Sequence, residues 1–183
     1  MLANPRWSLT EIRAEVVGRE QQTADAVSFW LRPNRLWKGF VAGQHVTISV
    51  EINGVRHTRV YSLSCDPAVA GLLTLTVKRQ ADGVVSNWLH DHLQVGSIVT
   101  LGEADGDFVL PQSCCPLLLL SAGSGITPML ALLHELHARR KAGGVEQDIV
   151  FVHVCRHAGD QIFARELREL AALVFAGERN RFD

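Results

Sequence analysis

The residues with the plainest chemical possibility lie between Pro116 and Leu130. Leu117 to Leu120 form an unbroken apolar run, the pattern of a strand buried on both faces. Gly123-Ser124-Gly125-Ile126-Thr127-Pro128 follows, and Met129, Leu130, Leu133 and Leu136 then recur at helical spacing. Thr127 suits an N-cap and Pro128 the first helical position, where its missing N–H leaves nothing unpaired. Strand, glycine turn and helix start together aim backbone N–H groups and the positive end of a helix dipole at one point, and a phosphate is the anion such a point holds. The two glycines let a diphosphate approach the backbone with no Cβ in the way. The loop reads GxGxxP where the dinucleotide pattern has GxGxxG, so a plain tight turn between strand and helix stands beside the phosphate reading.

Other constellations fail on spacing. His134-Glu135-Leu136-His137 is one residue short of HExxH, which sets two histidines on one zinc-binding helical face. Ser124 lies on a strand–turn–helix, but a nucleophile elbow GxSxG needs glycines where Ala122 and Ile126 stand. His153 and His157 flank a strand end as ordinary polar residues. Cys65, Cys114, Cys115 and Cys155 include no CxxC pair and no plant-ferredoxin spacing, so buried thiols in a reducing compartment are expected.

Composition narrows the class further. The chain has 183 residues, 47% apolar and 20% charged, with a net charge of −1. That is ordinary globular composition, with no basic excess to draw nucleic acid or an anionic membrane. No apolar run nears the ~18 residues of a membrane span, and the N-terminus lacks a signal-peptide core, so a soluble cytoplasmic protein is expected.

From Ile12 to Leu110 the dominant period is two. Strands are expected at 14–18, 26–31, 45–52, 55–62, 72–79 and 98–101, with Asn53-Gly54 as a hairpin turn. Six short strands at this spacing point to an antiparallel barrel or sandwich. One helix, from Ser86 as N-cap to Leu93, carries Leu89 and Leu93 on a face that suits capping a barrel end. After Pro111 the grammar becomes strand 117–121, helix 127–141 closed by Gly143-Gly144, strand 148–155 and helix 162–173. Two strands and two helices form one edge of a doubly wound sheet, which normally has ~5 strands. A polar end from Glu178 to Asp183 stands where a third strand is expected. The expected division is therefore a barrel over 1–112 and a partial α/β domain over 113–183, its C-terminal part missing.

Barrel first and glycine-loop α/β second is an order shared with a known family, and four motifs make the likeness specific. Arg59-Val60-Tyr61-Ser62-Leu63-Ser64, Gly43-Gln44-His45, Gly83-Val84-Val85-Ser86 and the 123–128 loop, with Gly102 to Phe108, fall in order where the ferredoxin–NADP reductase superfamily has its landmarks. The chain resembles that superfamily over roughly residues 10–173. It looks closest to the reductase components that feed oxygenases or desaturases. Singly, each motif has a plainer explanation: Tyr61-Ser62 as a β-propensity choice, Arg59 as a solvated strand arginine, Ser86 as only a cap. Their occurrence together carries the resemblance.

The resemblance implies an FAD-binding antiparallel six-stranded β-barrel with a capping helix, followed by a partial Rossmann-like parallel α/β domain for NAD(P). It implies Tyr61 stacked on the isoalloxazine ring, Ser62 near flavin N5 and Arg59 on the phosphates, with Tyr61 and Ser62 at the reacting face. Val60, Val77, Lys78 and Gly83, Val84, Val85, Ser86 complete the flavin-binding set. Gly123, Ser124, Gly125, Ile126, Thr127, Pro128 and Arg156 make up the nucleotide set, although a surface arginine remains open for Arg156. A diphosphate-sized anion site favours FAD over FMN. The implied activity is hydride transfer from NAD(P)H to flavin, then single electrons to an iron–sulfur (ferredoxin-like) protein or domain serving an oxygenase or desaturase. The family's elements beyond Asp183, which read the coenzyme's 2′ position, are not in the sequence. A flavin-binding electron-transfer fragment without NAD(P)H turnover is therefore the alternative, and a flavin-free interaction barrel a third reading.

Overall fold

In the first half, alternating apolar residues produce six antiparallel strands in a computed structural model that describes residues 8–69, 71–113, 115–143 and 147–174. They are β1 (Ile12–Thr23), β2 (Ala26–Pro33), β3 (His45–Ile52), β4 (Val55–Ser62), β5 (Leu73–Lys78) and β6 (Ile98–Leu101), in the order β4-β3-β6-β1-β2-β5. Helix α1 (Val84–His92) lies between β5 and β6 in sequence. Ile12, Ala14 and Val16 alternate inward along β1, as do Val46, Ile48 and Val50 along β3. With Phe29, Leu31, Leu73, Leu75 and Val77 they fill the barrel, and Val85 and Leu89 of α1, with Leu93 at its C-cap, join the same core. The two sheet edges are β4 and β5; the chain just after β4 bridges to β5 between Leu63 and Leu75, and Ser64 N–H donates to the Thr74 carbonyl.

The Asn53-Gly54 turn forms as expected. Both residues have positive φ, 52° and 77°, the conformation that matches a tight hairpin to strand twist. Gly18 sits at a register shift in β1 opposite Trp30, and a Cβ there would lie 1.9 Å from the indole. The strand interior is glycine because the tryptophan lies across it.

The second half is the parallel pair β7 (Leu117–Ala122) and β8 (Ile149–Val154), with helices α2 (Ile126–Lys141) and α3 (Ala164–Val174). Its core joins Leu119, Ile126, Leu130, Leu133, Leu136, Ile162, Phe163, Leu167 and Leu170 to two barrel residues, Ala26 and Ala42. Helix α2 buries more than one stripe, including Ala131 and Leu132, because it packs on its own sheet and on the barrel together. No described helix is long and apolar enough to cross a membrane.

Several expectations are corrected. The apolar run 117–120 is covered on one face only: Leu119 is buried, but Leu118 and Leu120 are 67% and 61% exposed. Successive strand side chains point to opposite faces, and among the described residues only the α2 side of this sheet is covered. The thiols are not uniformly buried. Cys115 is exposed on the connection to β7, and Cys65 and Cys155 are half-buried. Cys114, Gly144 and the polar end from Glu178 lie outside the described residues.

Gly43 is the tightest junction between barrel loops. Its φ is +94°, and a Cβ would stand 1.9 Å from the Phe108 carbonyl oxygen and 3.2 Å from Leu132. Gly54 also has positive φ, +77°, but opens to free space. We expect Gly54→Ala to cost about 1 kcal/mol and Gly43→Ala roughly 3 kcal/mol in urea unfolding, the difference being the clash. Equal losses would show that the approach to Phe108 is not confining.

Candidate functional site

Strand β4 distributes its motif over two faces. Arg59 and Tyr61 stand opposite Ile48 and Val46 of β3, while Val60 and Ser62 stand opposite Thr47 and His45. Tyr61 is half-buried against the barrel core. Burial pushes its phenol up, and the nearby Arg59 charge opposes that shift. Arg59 is exposed and donates to the Thr58 carbonyl at 2.8 Å, with no carboxylate partner among the described residues. Val60 is 58% exposed on the open strand edge. A half-buried aromatic face beside an unneutralised guanidinium fits a planar ring joined to phosphate.

Helix α1 closes the seam between β4 and β5 and begins at Val84, two residues before the expected cap. Gly83 is the N-cap, with no side-chain cap and no acid in the first turn, so the first N–H groups are not neutralised. Ser86 is no cap but the third helical residue. Its hydroxyl donates to the Gly83 carbonyl and accepts from the Gln80 N–H, both at 3.2 Å. The Gly83–Ser86 approach explains the glycine, because a Cβ there would lie 2.3 Å from Ser86 Oγ. Val77 and Lys78 have committed side chains: Val77 fills the core, and Lys78 Nζ pairs with Asp25 Oδ2 at 3.1 Å. Burial alone would raise the Asp25 carboxyl, but Thr23 and Lys78 hold it below its ordinary value.

The glycine loop departs from expectation in the same way. Gly123–Gly125 form a 3₁₀ turn running directly into α2, whose N-cap is Gly125. Thr127 lies inside the helix and donates its hydroxyl to the Ser124 carbonyl at 3.0 Å. Pro128 is therefore the third helical residue. A helical run starting at Gly123 presents the N–H groups of Gly123, Ser124 and Gly125 without an acceptor one turn earlier, again with no first-turn acid. Ile126 is fully buried and fixes the turn to the core. The pairing of Ala122 with Val154 sets the loops after β7 and β8 side by side. Arg156 thus emerges at the same sheet end as the glycine loop, exposed and 3.5 Å from Asp160 Oδ2.

The structure therefore forms two groups, one at the β4–α1 seam and one at the β7–β8 ends. No hydrogen bond or ion pair among the described residues ties them directly; α2 and the Ala42-Gly43 loop connect them through packing. A cleft of ≈ 350 Å³ between the barrel and helices α2 and α3 includes Trp30, Cys65, His134 and Glu166, but none of the predicted site residues. Burial pushes the Cys65 thiol up, which keeps it protonated.

Sequence reasoning missed three buried polar groupings. Ser28 and Thr76 hydroxyls meet at 2.7 Å on the barrel's outer face, with Ser64 at 3.4 Å from Thr76. Ser121 Oγ and His153 Nδ1 lie 2.9 Å apart beneath the glycine loop, and His153 Nε2 is buried without a partner. His90 faces the barrel and bonds the Val77 carbonyl at 2.8 Å. Only His90 had a readable signal, since it adjoins Leu89 on the apolar face of α1.

Burial lowers the pKa of His90, His137 and His153. Each holds its proton more weakly folded than unfolded, so their contribution to stability is full above histidine's unfolded value of about 6.5 and declines as pH falls below it. Urea midpoints should be lower at about pH 5.5 than at about pH 7.5, with His153→Asn showing a smaller drop than the wild type. An equal or higher midpoint at the lower pH would contradict this direction.

The chain is similar to proteins already known. The family model described as oxidoreductase FAD-binding domain matches residues 13–109. An NADPH oxidoreductase of Mycobacterium tuberculosis is 36% identical over 176 residues, covering 93% of this chain and 45% of that protein. The crystal structure of the flavohem-like FAD/NAD-binding domain of nitric oxide dioxygenase from Vibrio cholerae superposes with a TM-score of 0.79 at 32% identity, covering 90% of this chain and 70% of that one. Phthalate dioxygenase reductase, described as a modular structure for electron transfer from pyridine nucleotides to [2Fe-2S], superposes with a TM-score of 0.74 at 27% identity, covering 86% of this chain and 48% of that one. The chain spans less than half the length of the curated relatives it matches.

Proposed function

The chain belongs to the oxidoreductase FAD-binding domain family, and from that premise we propose that it is the reductase module of an NAD(P)H-dependent electron-transfer system. It is a flavin oxidoreductase of the ferredoxin-reductase type, with an FAD-binding barrel and part of a Rossmann-like nucleotide domain. In this reading, FAD supplies the conversion of a two-electron hydride donor into single electrons for an iron–sulfur protein or domain, which serves an oxygenase or desaturase. The likeness to the NADPH oxidoreductase and to phthalate dioxygenase reductase supports both the donor and the acceptor class. We place the module in the cytoplasm.

One observation carries the flavin assignment. Tyr61 and Arg59 share a face of β4, a strand in contact with α1, and the start of that helix is uncapped and free of acids. Tyr61 offers its ring as a stacking surface and excludes water from one side of the cofactor. Arg59 brings a planar cation with two parallel donors to a phosphate, and Val84 and Val85 add backbone N–H groups. Ser62, on the other strand face, offers a hydroxyl toward the reacting edge. Backbone atoms, not side chains, are what Val77 and Lys78 can contribute. The 123–125 turn, with Arg156 beside it, would hold the phosphates of the pyridine nucleotide and hold its ring against the flavin. No protein acid or base is needed for the transfer.

We expect Arg59→Ala combined with Tyr61→Ala to weaken FAD binding at least about a hundredfold, read by fluorescence titration. Unchanged affinity would overturn the assignment of this surface.

A second reading rests on the exposed apolar face of β7 and β8, where Leu118, Leu120, Val150 and Val154 are uncovered among the described residues. A nucleotide half in that state would leave a flavin carrier without NAD(P)H turnover of its own. Anaerobic titration of the FAD-loaded protein separates the two. Bleaching of oxidised flavin at near-stoichiometric NADH or NADPH is the expected result; flavin reducible by dithionite but not by either coenzyme would establish the second reading.

A further inference from the structure

Among the polar side chains of α1, His90 is enclosed and has no part in the site as described. It is 5% exposed, and its Nε2 lies 2.8 Å from the Val77 carbonyl oxygen. A carbonyl only accepts, so this ring nitrogen carries the hydrogen and donates it. The carbonyl of His90 itself accepts from Arg19 Nη2 at 2.9 Å, and that guanidinium lies over the Phe29 ring, 5.8 Å from its centroid. On the solvent side Arg79 pairs with Asp91 at 2.6 Å and reaches Asn87 Oδ1 at 3.2 Å. The helix therefore hangs from β1 and β5 by its last turn.

Its first turn has a different duty. In the flavin reading, Val84 and Val85 would offer N–H groups to the diphosphate, and Val77 and Lys78 of β5 would offer backbone atoms to the cofactor. Between them runs the short connection Arg79 to Gly83, tied to the helix by Arg79 to Asn87 and Asp91, by Gln80 to Ser86 and Asn87, and by the Ser86 hydroxyl to the Gly83 carbonyl. The apolar contacts of Val85, Leu89 and Leu93 resist separation of helix and barrel, but such contact is non-directional and does not resist sliding. A hydrogen bond does, because its strength falls steeply with angle and distance. A helix moves nearly as one body, so a bond at His90 sets the height of Val84, about 9 Å away along the axis.

We propose that His90 is a positioning residue of the flavin site: its bond to the Val77 carbonyl fixes α1 against strand β5, and with it the spacing between the N–H groups of Val84 and Val85 and the backbone of Val77 and Lys78. This rests on the flavin reading above. Glutamine reaches as far as the histidine Nε2 and also donates, whereas asparagine is one carbon short and leucine donates nothing.

The test is FAD affinity and the visible spectrum of the bound flavin in the full chain, for the wild type, His90→Gln, His90→Asn and His90→Leu. Glutamine should stay within about threefold of wild-type affinity with a superimposable spectrum. Asparagine and leucine should weaken binding at least about tenfold and shift the spectrum while the far-ultraviolet dichroism is retained. If leucine does not fold, the glutamine–asparagine pair decides alone, since both are amides of the same chemistry. Wild-type affinity in the asparagine variant, or equal losses in the glutamine and asparagine variants, overturns the proposal. Failure of the wild type to bind FAD overturns the flavin reading itself, and the two failures are thereby distinct.

Discussion

An antiparallel sheet of six strands has two open edges, and the way this one closes decides where everything else can go. Among the described residues, the β4 edge reaches β5 through one bridge just past the end of β4, Leu63 to Leu75. Beyond that bridge, no ladder pairs the two edges among the described residues, and an unpaired edge invites a partner. Helix α1 supplies apolar cover for the gap through Val85, Leu89 and Leu93. What remains is a strip of exposed β4 edge with Arg59, Val60 and Tyr61 upon it, flanked by a helix start. The surface assigned to flavin is thus the remainder of an incomplete closure.

The second half repeats the electrostatic device without repeating the architecture. Both α1 and α2 start at a glycine, neither has a side-chain cap, and neither has an acid in its first turn. A capping side chain would satisfy the very N–H groups that a phosphate needs, and a carboxylate would cancel the dipole. In both places a hydroxyl one turn in, Ser86 or Thr127, instead bonds back to a carbonyl of the preceding loop. That arrangement stiffens the loop and leaves its donors open.

Contact between the halves is made by small residues. Ala26 and Ala42 enter the second core, and Gly43 lets the Phe108 carbonyl and Leu132 come close. Side chains of larger volume at these positions would hold α2 off the barrel, and close packing leaves no slack to absorb them. The Phe163 N–H to Gln22 bond and the Arg165–Glu20 pair extend that contact along β1.

Much of this was legible in the chain itself. Alternation marked β3 and β6, and β4 was read as the return strand after Asn53-Gly54; all three appear with the expected bounds, and the turn falls where two left-handed residues were needed. The family and its fold followed from four motifs in order, because the backbone geometry they require is local. Which donors stay open did not follow: Ser86 and Thr127 read as caps, since a cap and a back-bonding hydroxyl use the same residue types and differ only in where the helix begins. The commitment of Lys78 to Asp25, the pairing of Ser121 with His153 and the bond from His90 to Val77 each join residues on different elements. The sequence determined the elements and their chemistry through local pattern. The tertiary structure alone decided which polar groups are spent on holding the fold and which are left facing outward, because that allocation depends on neighbours brought together only by packing.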